Sequence, residues 1–217
     1  MINVMIVEDD PMAQKLLDIF VSGNSSYHVA HTIESAAMAE FYCMTNPIDL
    51  ILMDVCTAMN VSGLEAAEKI KRRFPHIKII IITSQPECSF IDRARNAGVE
   101  SFWYKTASAE EILTVMDRTM AGESIYPDST PTLKLGDAAS DKFSDRELEV
   151  LRLVVAGETD ASIAEKLFMS VRTVKQHIQS LRDKTGFRNR TELAVRARES
   201  GLVINDKTEC ELLPHQA

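Results

Sequence analysis

The chain has 217 residues, 45% of them hydrophobic, with 24 Lys and Arg against 32 Asp and Glu for a formal net charge of −8. That length holds two small domains or one of moderate size, and the composition excludes the disordered and fibrous classes. The longest apolar runs, as at Ile77–Ile82 with Lys78 inside it, fall far short of the ~20 residues of a membrane helix, and an acidic average argues against nucleic acid as a partner.

In chain order, Ile2 to Val7 reads as a short apolar strand, directly at an N-terminus with no basic flank or cleavage site, so no signal peptide is expected. A helix is predicted from Met12 to Phe20, with Leu16, Leu17 and Phe20 on one side. Tyr27–Thr32 is a weaker strand and Ala36–Met44 a helix, punctuated by Pro47 before a strand over Asp49–Met53. Gly63 precedes a helix over Leu64–Phe74, which Pro75 ends. Ile77–Ile82 is a β-branched run suited to a strand buried on both faces. Ile91–Ala97 is helical and stops at Gly98; Ser101–Tyr104 is a short strand; Ser108–Met120 is a helix, with Ser108 and Glu111 at capping-box spacing. Strand and helix thus alternate five times, which predicts a doubly wound α/β domain with a parallel sheet covered on both faces.

Residues 124–142, SIYPDSTPTLKLGDAASDK, hold two prolines, a glycine and a cluster of Ser, Thr and Asp, and read as a linker. Beyond it the pattern is all helical. Ser144 and Glu147 have capping-box spacing before a helix that Gly157 stops; a short helix covers Asp160–Leu167. After Phe168 and Met169, Ser170 caps a longer helix ending near Gly186, and Thr191–Arg198 forms a last one closed by Gly201. The expected organisation is a (βα)5 domain at 1–123, a linker at 124–142, a small all-α helix-turn-helix domain at 143–204 and a tail at 205–217. Cys43, Cys56, Cys88 and Cys210 have neither metal-ligand spacing nor close pairing, which fits a reducing, cytoplasmic compartment.

The charge follows this division. Residues 142–203 carry twelve basic and nine acidic side chains, a net of +3, whereas the rest carries twelve and 23, a net of −11.

In a doubly wound sheet, sites gather at the carboxyl ends of the strands. Glu8, Asp9 and Asp10 follow the first strand, Asp54 the third, Thr83 the fourth and Lys105 the fifth. Converging carboxylates repel and call for a cation to stay ionised together, and hard oxygen ligands suit Mg2+. A carboxylate beside bound Mg2+ can serve as nucleophile toward a phosphoryl group, with Thr83 and Lys105 placed to meet the added oxygens. Taken singly, these residues read as a solvated turn, a helix cap or a snorkelling lysine. The set at four strand ends is what points to a site.

These residues resemble the receiver domains of two-component response regulators over about residues 1–122. The resemblance implies that Asp54 accepts the phosphoryl group and that Mg2+ is held by Glu8, Asp9, Asp54 and the Cys56 carbonyl. It makes Thr83 and Lys105 the phosphoryl-coordinating pair and Phe102 the switch aromatic. One departure is plain: the family usually places Met-Pro at the third and fourth positions after the acceptor and Gly at the eighth. Here Thr57 and Ala58 stand there and Gly63 comes ninth, a loop one residue longer without its rigid proline.

In the small domain, a short helix, a three-residue turn and a longer helix form a helix-turn-helix pattern, whose second helix enters the major groove. Arg172, Lys175, Arg182, Lys184, Arg188 and Arg190 face one acidic residue, Asp183, between Ser170 and Arg190. Val174, Ile178 and Leu181 are expected in the core. Residues 143–203 resemble the LuxR-type helix-turn-helix of the NarL/FixJ class, through SDRELEVL, IAEKLFMS, TVKQHI and RTELAVRA. The resemblance implies DNA contacts from Ser170, Arg172, Thr173, Lys175, Gln176, His177, Gln179 and Lys184, with pairing of two copies through residues 191–200. Asp160 stands where the family usually has Asn.

The expectation is a transcriptional response regulator and not a turnover enzyme, with a sensor histidine kinase, double-stranded promoter DNA and a second copy of the chain as partners. Two other readings remain at this point. One is a phosphorylation-independent DNA-binding regulator with a pseudo-receiver. The other is a HAD-like phosphatase, weakened because Cys56 stands where its second Asp would be.

Overall fold

The computed structural model describes residues 1–85, 87, 89–105, 109–128 and 130–203, with positions 109–111 as backbone only. The expected capping box at Ser108–Glu111, the tail at 205–217, Cys88 and Cys210 lie outside the described residues. Two compact units divide the chain near residue 129.

The first unit runs β1 (Ile2–Val7), α1 (Pro11–Ser22), β2 (Tyr27–Ile33), α2 (Ala39–Thr45), β3 (Leu50–Asp54), a small hairpin of β4 (Cys56–Thr57) and β5 (Val61–Ser62), α3 (Gly63–Arg73), β6 (Lys78–Thr83), α4 (Phe90–Asn96), β7 (Ser101–Tyr104) and α5 (Ala109–Met120). Apart from the hairpin, its strands form one parallel sheet in the order β2-β1-β3-β6-β7.

Alternation along each strand sends successive side chains to opposite faces. Val4, Ile6, Leu50, Leu52, Ile80, Ile82 and Trp103 pack on one face with Leu17 and Val21 of α1 and Ile112 and Met116 of α5. Met5, Ile51, Met53, Ile79, Ile81 and Phe102 are buried on the other. Burial on both sides is why β6 tolerates four consecutive isoleucines, each contributing roughly 1.5–3 kcal/mol on leaving water. On α1 the expected apolar side is rotated. Leu17 and Val21, four apart, are buried, whereas Leu16 is half exposed.

The second unit contains α6 (Asp145–Val155), α7 (Asp160–Lys166), α8 (Val171–Thr185) and α9 (Arg190–Ser200). Val150, Leu151, Ile163, Val174, Ile178, Leu181 and Leu193 close its core. Ser144 and Glu147 make the expected reciprocal cap of α6, and Ser170 caps α8 by accepting from the Thr173 N–H at 3.0 Å.

The stretch expected to be a linker is in part folded. Residues Lys134–Leu135 (β8) and Ala138–Ala139 (β9) form a two-stranded hairpin, and Leu135 and Ala138 join the core of the helical unit. The hairpin turn lies against the end of α8: the Asp137 N–H donates to the Thr185 carbonyl, and at Gly136 (φ 61°) a β-carbon would come within 2.1 Å of that oxygen. Among the described residues, no helix is long and apolar enough to cross a membrane.

Candidate functional site

The carboxyl ends of β1, β3 and β7 meet at one point of the first unit. Glu8 follows β1 and is 1% exposed; Asp54 ends β3 and is 7% exposed; Lys105 follows β7. The Lys105 ammonium lies 2.6 Å from Asp54 Oδ2 and 2.5 Å from Glu8 Oε2. Asp54 Oδ1 accepts from the Val55 N–H at 2.7 Å. Glu8, Asp9 and Asp54 each offer a carboxylate oxygen within 4.8 Å of the others, a group able to hold a metal ion.

Burial, with Asp54 as a second cause, pushes the Glu8 carboxyl up to about 8. Burial also raises Asp54, against the pull of Lys105. For Lys105, burial alone would favour the neutral amine, but the Asp54 and Glu8 carboxylates outweigh it and hold its pKa above the ordinary lysine value. The centre is thus two desolvated carboxylates sharing one ammonium, with Asp9 beside them at the solvent edge. Repulsion between the carboxylates leaves it short of positive charge, which is the electrostatic condition for taking a cation.

The third acid of the run does something else. Asp10 caps α1, accepting from the Ala13 N–H at 2.7 Å, and so orients the loop that carries Glu8 and Asp9. Thr83 is buried at the end of β6, and its carbonyl accepts from the Lys105 N–H at 2.8 Å. Phe102 is buried on β7, three residues before Lys105, with its ring centroid 5.1 Å from that of Tyr104.

The lengthened loop after Asp54 is ordered as the β4–β5 hairpin. Met59 and Asn60 take left-handed backbone conformations at its tip, with φ 66° and 56°. Thr57 Oγ1 donates to the Val61 carbonyl and accepts from the Ala36 N–H; Ser35 Oγ donates to the Ala58 carbonyl. Cys56 is half-buried at the start of the hairpin. Gly63, one residue late, sits directly against the end of β3, where a β-carbon would fall 1.8 Å from the Asp54 carbonyl oxygen. Sequence spacing alone did not show that this glycine is required by contact.

In the second unit, α8 buries Val174, Ile178 and Leu181 and turns Arg172, Lys175, Gln176 and Gln179 outward, with Thr173 and His177 half-buried at the edge. Ser170, exposed, caps its start. Gln179 bonds Asp183 at 2.7 Å and Arg182 at 3.2 Å along the same face. Lys184 is placed differently: its ammonium lies 2.7 Å from Glu147 Oε2 and 2.9 Å from the Lys142 carbonyl, and 5.9 Å from the Phe143 ring centre. Burial would raise Glu147, but Lys184, Ser144 and Ser180 together bring it down to about 2. Sequence reasoning missed Glu147 as the partner of Lys184, although its capping-box position already placed its carboxylate at the start of α6. Asp160 is likewise paired: Arg190 bonds its Oδ1 at 2.5 Å, so the charge at the start of α7 is compensated.

Residues 4–117 match the response regulator receiver domain family, and residues 141–197 match the luxR family of bacterial regulatory proteins. The chain is 29% identical over 209 residues to the response regulator protein VraR of Staphylococcus aureus, covering 93% of this chain and 99% of that protein. Among solved structures, it resembles RcsB from Salmonella enterica serovar Typhimurium bound to promoter rprA in the presence of phosphomimetic BeF3−. The TM-score is 0.61 at 22% identity, over 90% of this chain and 98% of that one. It also resembles the RcsB–DNA complex, with a TM-score of 0.63 at 20% identity over 90% and 96%. At these identities the likeness concerns the fold.

Proposed function

Since the chain belongs to the response-regulator family, with a receiver domain and a luxR-type helix-turn-helix, we propose that Asp54 accepts a phosphoryl group from a histidine kinase and that α8 reads promoter DNA. The observation that carries the first part is Lys105 between Asp54 and Glu8, with Asp9 alongside. Mg2+ would be held by Glu8, Asp9, Asp54 and the Cys56 carbonyl, and it would offset the charge of the incoming phosphoryl oxygens.

The chain's own groups do the rest. A carboxylate oxygen of Asp54 attacks phosphorus, the bond from phosphorus to the donor histidine nitrogen breaks, and an acyl phosphate remains on Asp54. The Lys105 ammonium exchanges its contact with Asp54 Oδ2 for one with a phosphoryl oxygen, and the Thr83 hydroxyl donates to another. Phe102 shares the sheet face of Thr83 and responds to its movement. Because the lengthened loop folds back as a hairpin and leaves Asp54 beside Glu8 and Asp9, it supports this reading over a pseudo-receiver.

In the second unit, Lys175, Gln176 and Gln179 lie on the exposed face of α8, where polar side chains meet base edges. Ser170, Arg172, Thr173 and His177 flank them toward the backbone. A homodimer would read two half-sites about one helical turn apart, as dimers on DNA are described for RcsB.

The test is a small phosphodonor with Mg2+, applied to the wild type and to Asp54→Ala. The expected result is a mass gain of one phosphoryl group, stronger self-association and tighter DNA binding in the wild type only. Equal behaviour of the two proteins would refute phosphoryl control.

A further inference from the structure

The turn between α7 and α8 carries Phe168, which is 97% exposed, more than any other large apolar side chain among the described residues. A single exposed apolar residue is ordinary on a protein surface. This one also sits on a backbone that disfavours it, with φ 51°.

The end of α7 sets that angle. Leu167 is the helix cap, the Phe168 N–H donates to the Glu165 carbonyl at 3.3 Å, and the Met169 N–H donates to the Ala164 carbonyl at 2.9 Å. These two bonds make a left-handed helix stop, and the residue past its cap is usually glycine because a β-carbon is strained there. The other three helices of the second unit do stop on glycine: Gly157 after α6, Gly186 after α8 and Gly201 after α9, with φ of 79°, 75° and 70°. Only α7 sets a bulky side chain at this position, and a ring so exposed packs on nothing in its own unit that would offset the strain. Strain of this kind gathers where a side chain is held for binding.

Two residues on, Ser170 caps α8. Two residues span at most about 7 Å, so Phe168 lies at the amino-terminal end of α8. In a helix-turn-helix, that end of the second helix enters the major groove. Val171, 41% exposed, adds apolar surface there, and the exposed Arg172 and Lys175 add positive charge. An aromatic ring beside cations matches a duplex, whose phosphates flank apolar deoxyribose edges and thymine methyl groups.

We propose that Phe168 is a DNA-contact residue, its ring packing on the apolar edge of the duplex at the mouth of the groove that α8 enters. The left-handed turn holds the ring outward before DNA arrives, so little ordering is lost on contact. The second unit is less stable than a glycine would make it, and gains a contact that glycine cannot supply. The inference rests on α8 reading DNA.

The probe is a fluorescent duplex enriched by the full-length wild type from a random-sequence library, with acetyl phosphate and Mg2+ present. Phe168→Gly is expected to bind it about tenfold more weakly, the weight of a partly buried aromatic side chain. Its salt slope is expected to match the wild type, and its second unit to melt a few degrees higher. Phe168→Tyr, which keeps the ring, is expected to bind within about twofold of the wild type. Lys175→Ala serves as the reference that lowers the slope. With uracil in place of thymine, the gap between wild type and Phe168→Gly closes if the ring meets a methyl group and persists if it meets the sugar. Wild-type affinity in Phe168→Gly, or a loss accompanied by a lower melting point, overturns the contact, and a weakened Lys175→Ala then leaves the reading helix intact. If no duplex is enriched, or neither variant weakens binding, the reading helix and the contact fall together.

Discussion

Gly63 and Asp54 touch backbone to backbone: a β-carbon on the glycine would fall 1.8 Å from the aspartate carbonyl oxygen, while the Gly63 N–H donates to the neighbouring Val55 carbonyl at 2.8 Å. Neither contact can give, because both neighbours are main chain at the end of the central strand. Gly63→Ala is therefore expected to cost more than about 2 kcal/mol in urea denaturation of the first unit and to slow phosphoryl acceptance by displacing Asp54. Wild-type stability and labelling would show that the hairpin absorbs the methyl group.

Lys105→Met removes the ammonium shared by Asp54 and Glu8 and leaves two buried carboxylates facing each other. Breaking a buried ion pair by removing one partner costs roughly 3–5 kcal/mol, less whatever is recovered by proton uptake. The expected signature is a destabilised first unit that added Mg2+ restabilises more than it does the wild type, read as the shift in thermal midpoint. Equal Mg2+ shifts in the two proteins would contradict the charge balance described.

Cation binding should depend on pH in a stated direction. Burial and Asp54 raise Glu8 to about 8, so below that value the cation-free site keeps a proton on Glu8. Binding ionises the carboxyl and releases the proton, so Mg2+ affinity is expected to fall by up to about tenfold per pH unit below 8 and to level off above it. Titration calorimetry in buffers of different ionisation enthalpy measures both the affinity and the proton released. A pH-independent affinity between 6 and 8 would remove Glu8 from the site.

Lys175 and Lys184 should separate on DNA. Lys175 is exposed on α8 and is expected, as Lys175→Ala, to weaken binding and reduce the salt slope by about 1. Lys184→Ala should leave the slope unchanged and instead destabilise the second unit, since its ammonium is held by Glu147. The pH dependence follows. Glu147 is lowered from 4.5 to about 2, so the stabilisation is complete above pH 4.5 and is lost as the pH falls toward 2, on the order of 3 kcal/mol. Protection of the Ile178 and Leu181 amides across that range, against Glu147→Gln, measures it. A lowered salt slope in Lys184→Ala would place that lysine on DNA after all.

Much of this architecture was legible because it rests on long apolar runs. The parallel strands, the helices between them and the buried side of α8 follow from apolar patterning over four or more residues. The strand-end residues Glu8, Asp54, Thr83 and Lys105 were legible because topology sends strand ends to one side of a sheet. The β8–β9 hairpin was not, since two-residue strands have no period; its one signal was Gly136–Asp137 as a two-residue turn between Leu135 and Ala138. The partner of Lys184 was hidden for another reason. Glu147 and Lys184 lie 37 residues apart, and only helix packing brings them together.

The hairpin that replaces a proline after Asp54 changes the kind of restraint on that loop. A proline ring limits the chain covalently, at every temperature and in every state, including the unfolded one. Thr57, Ser35 and the β4–β5 pairing limit it only while their hydrogen bonds last, with Met59 and Asn60 holding left-handed conformations that relax once the bonds open. The loop beside Asp54 is therefore held by contacts that are separate from the sheet beneath it. If Asp54 carries the acyl phosphate proposed above, water's access to it would carry the enthalpy of that opening, and the lifetime of the signal would shorten more steeply on warming than bond hydrolysis alone would dictate.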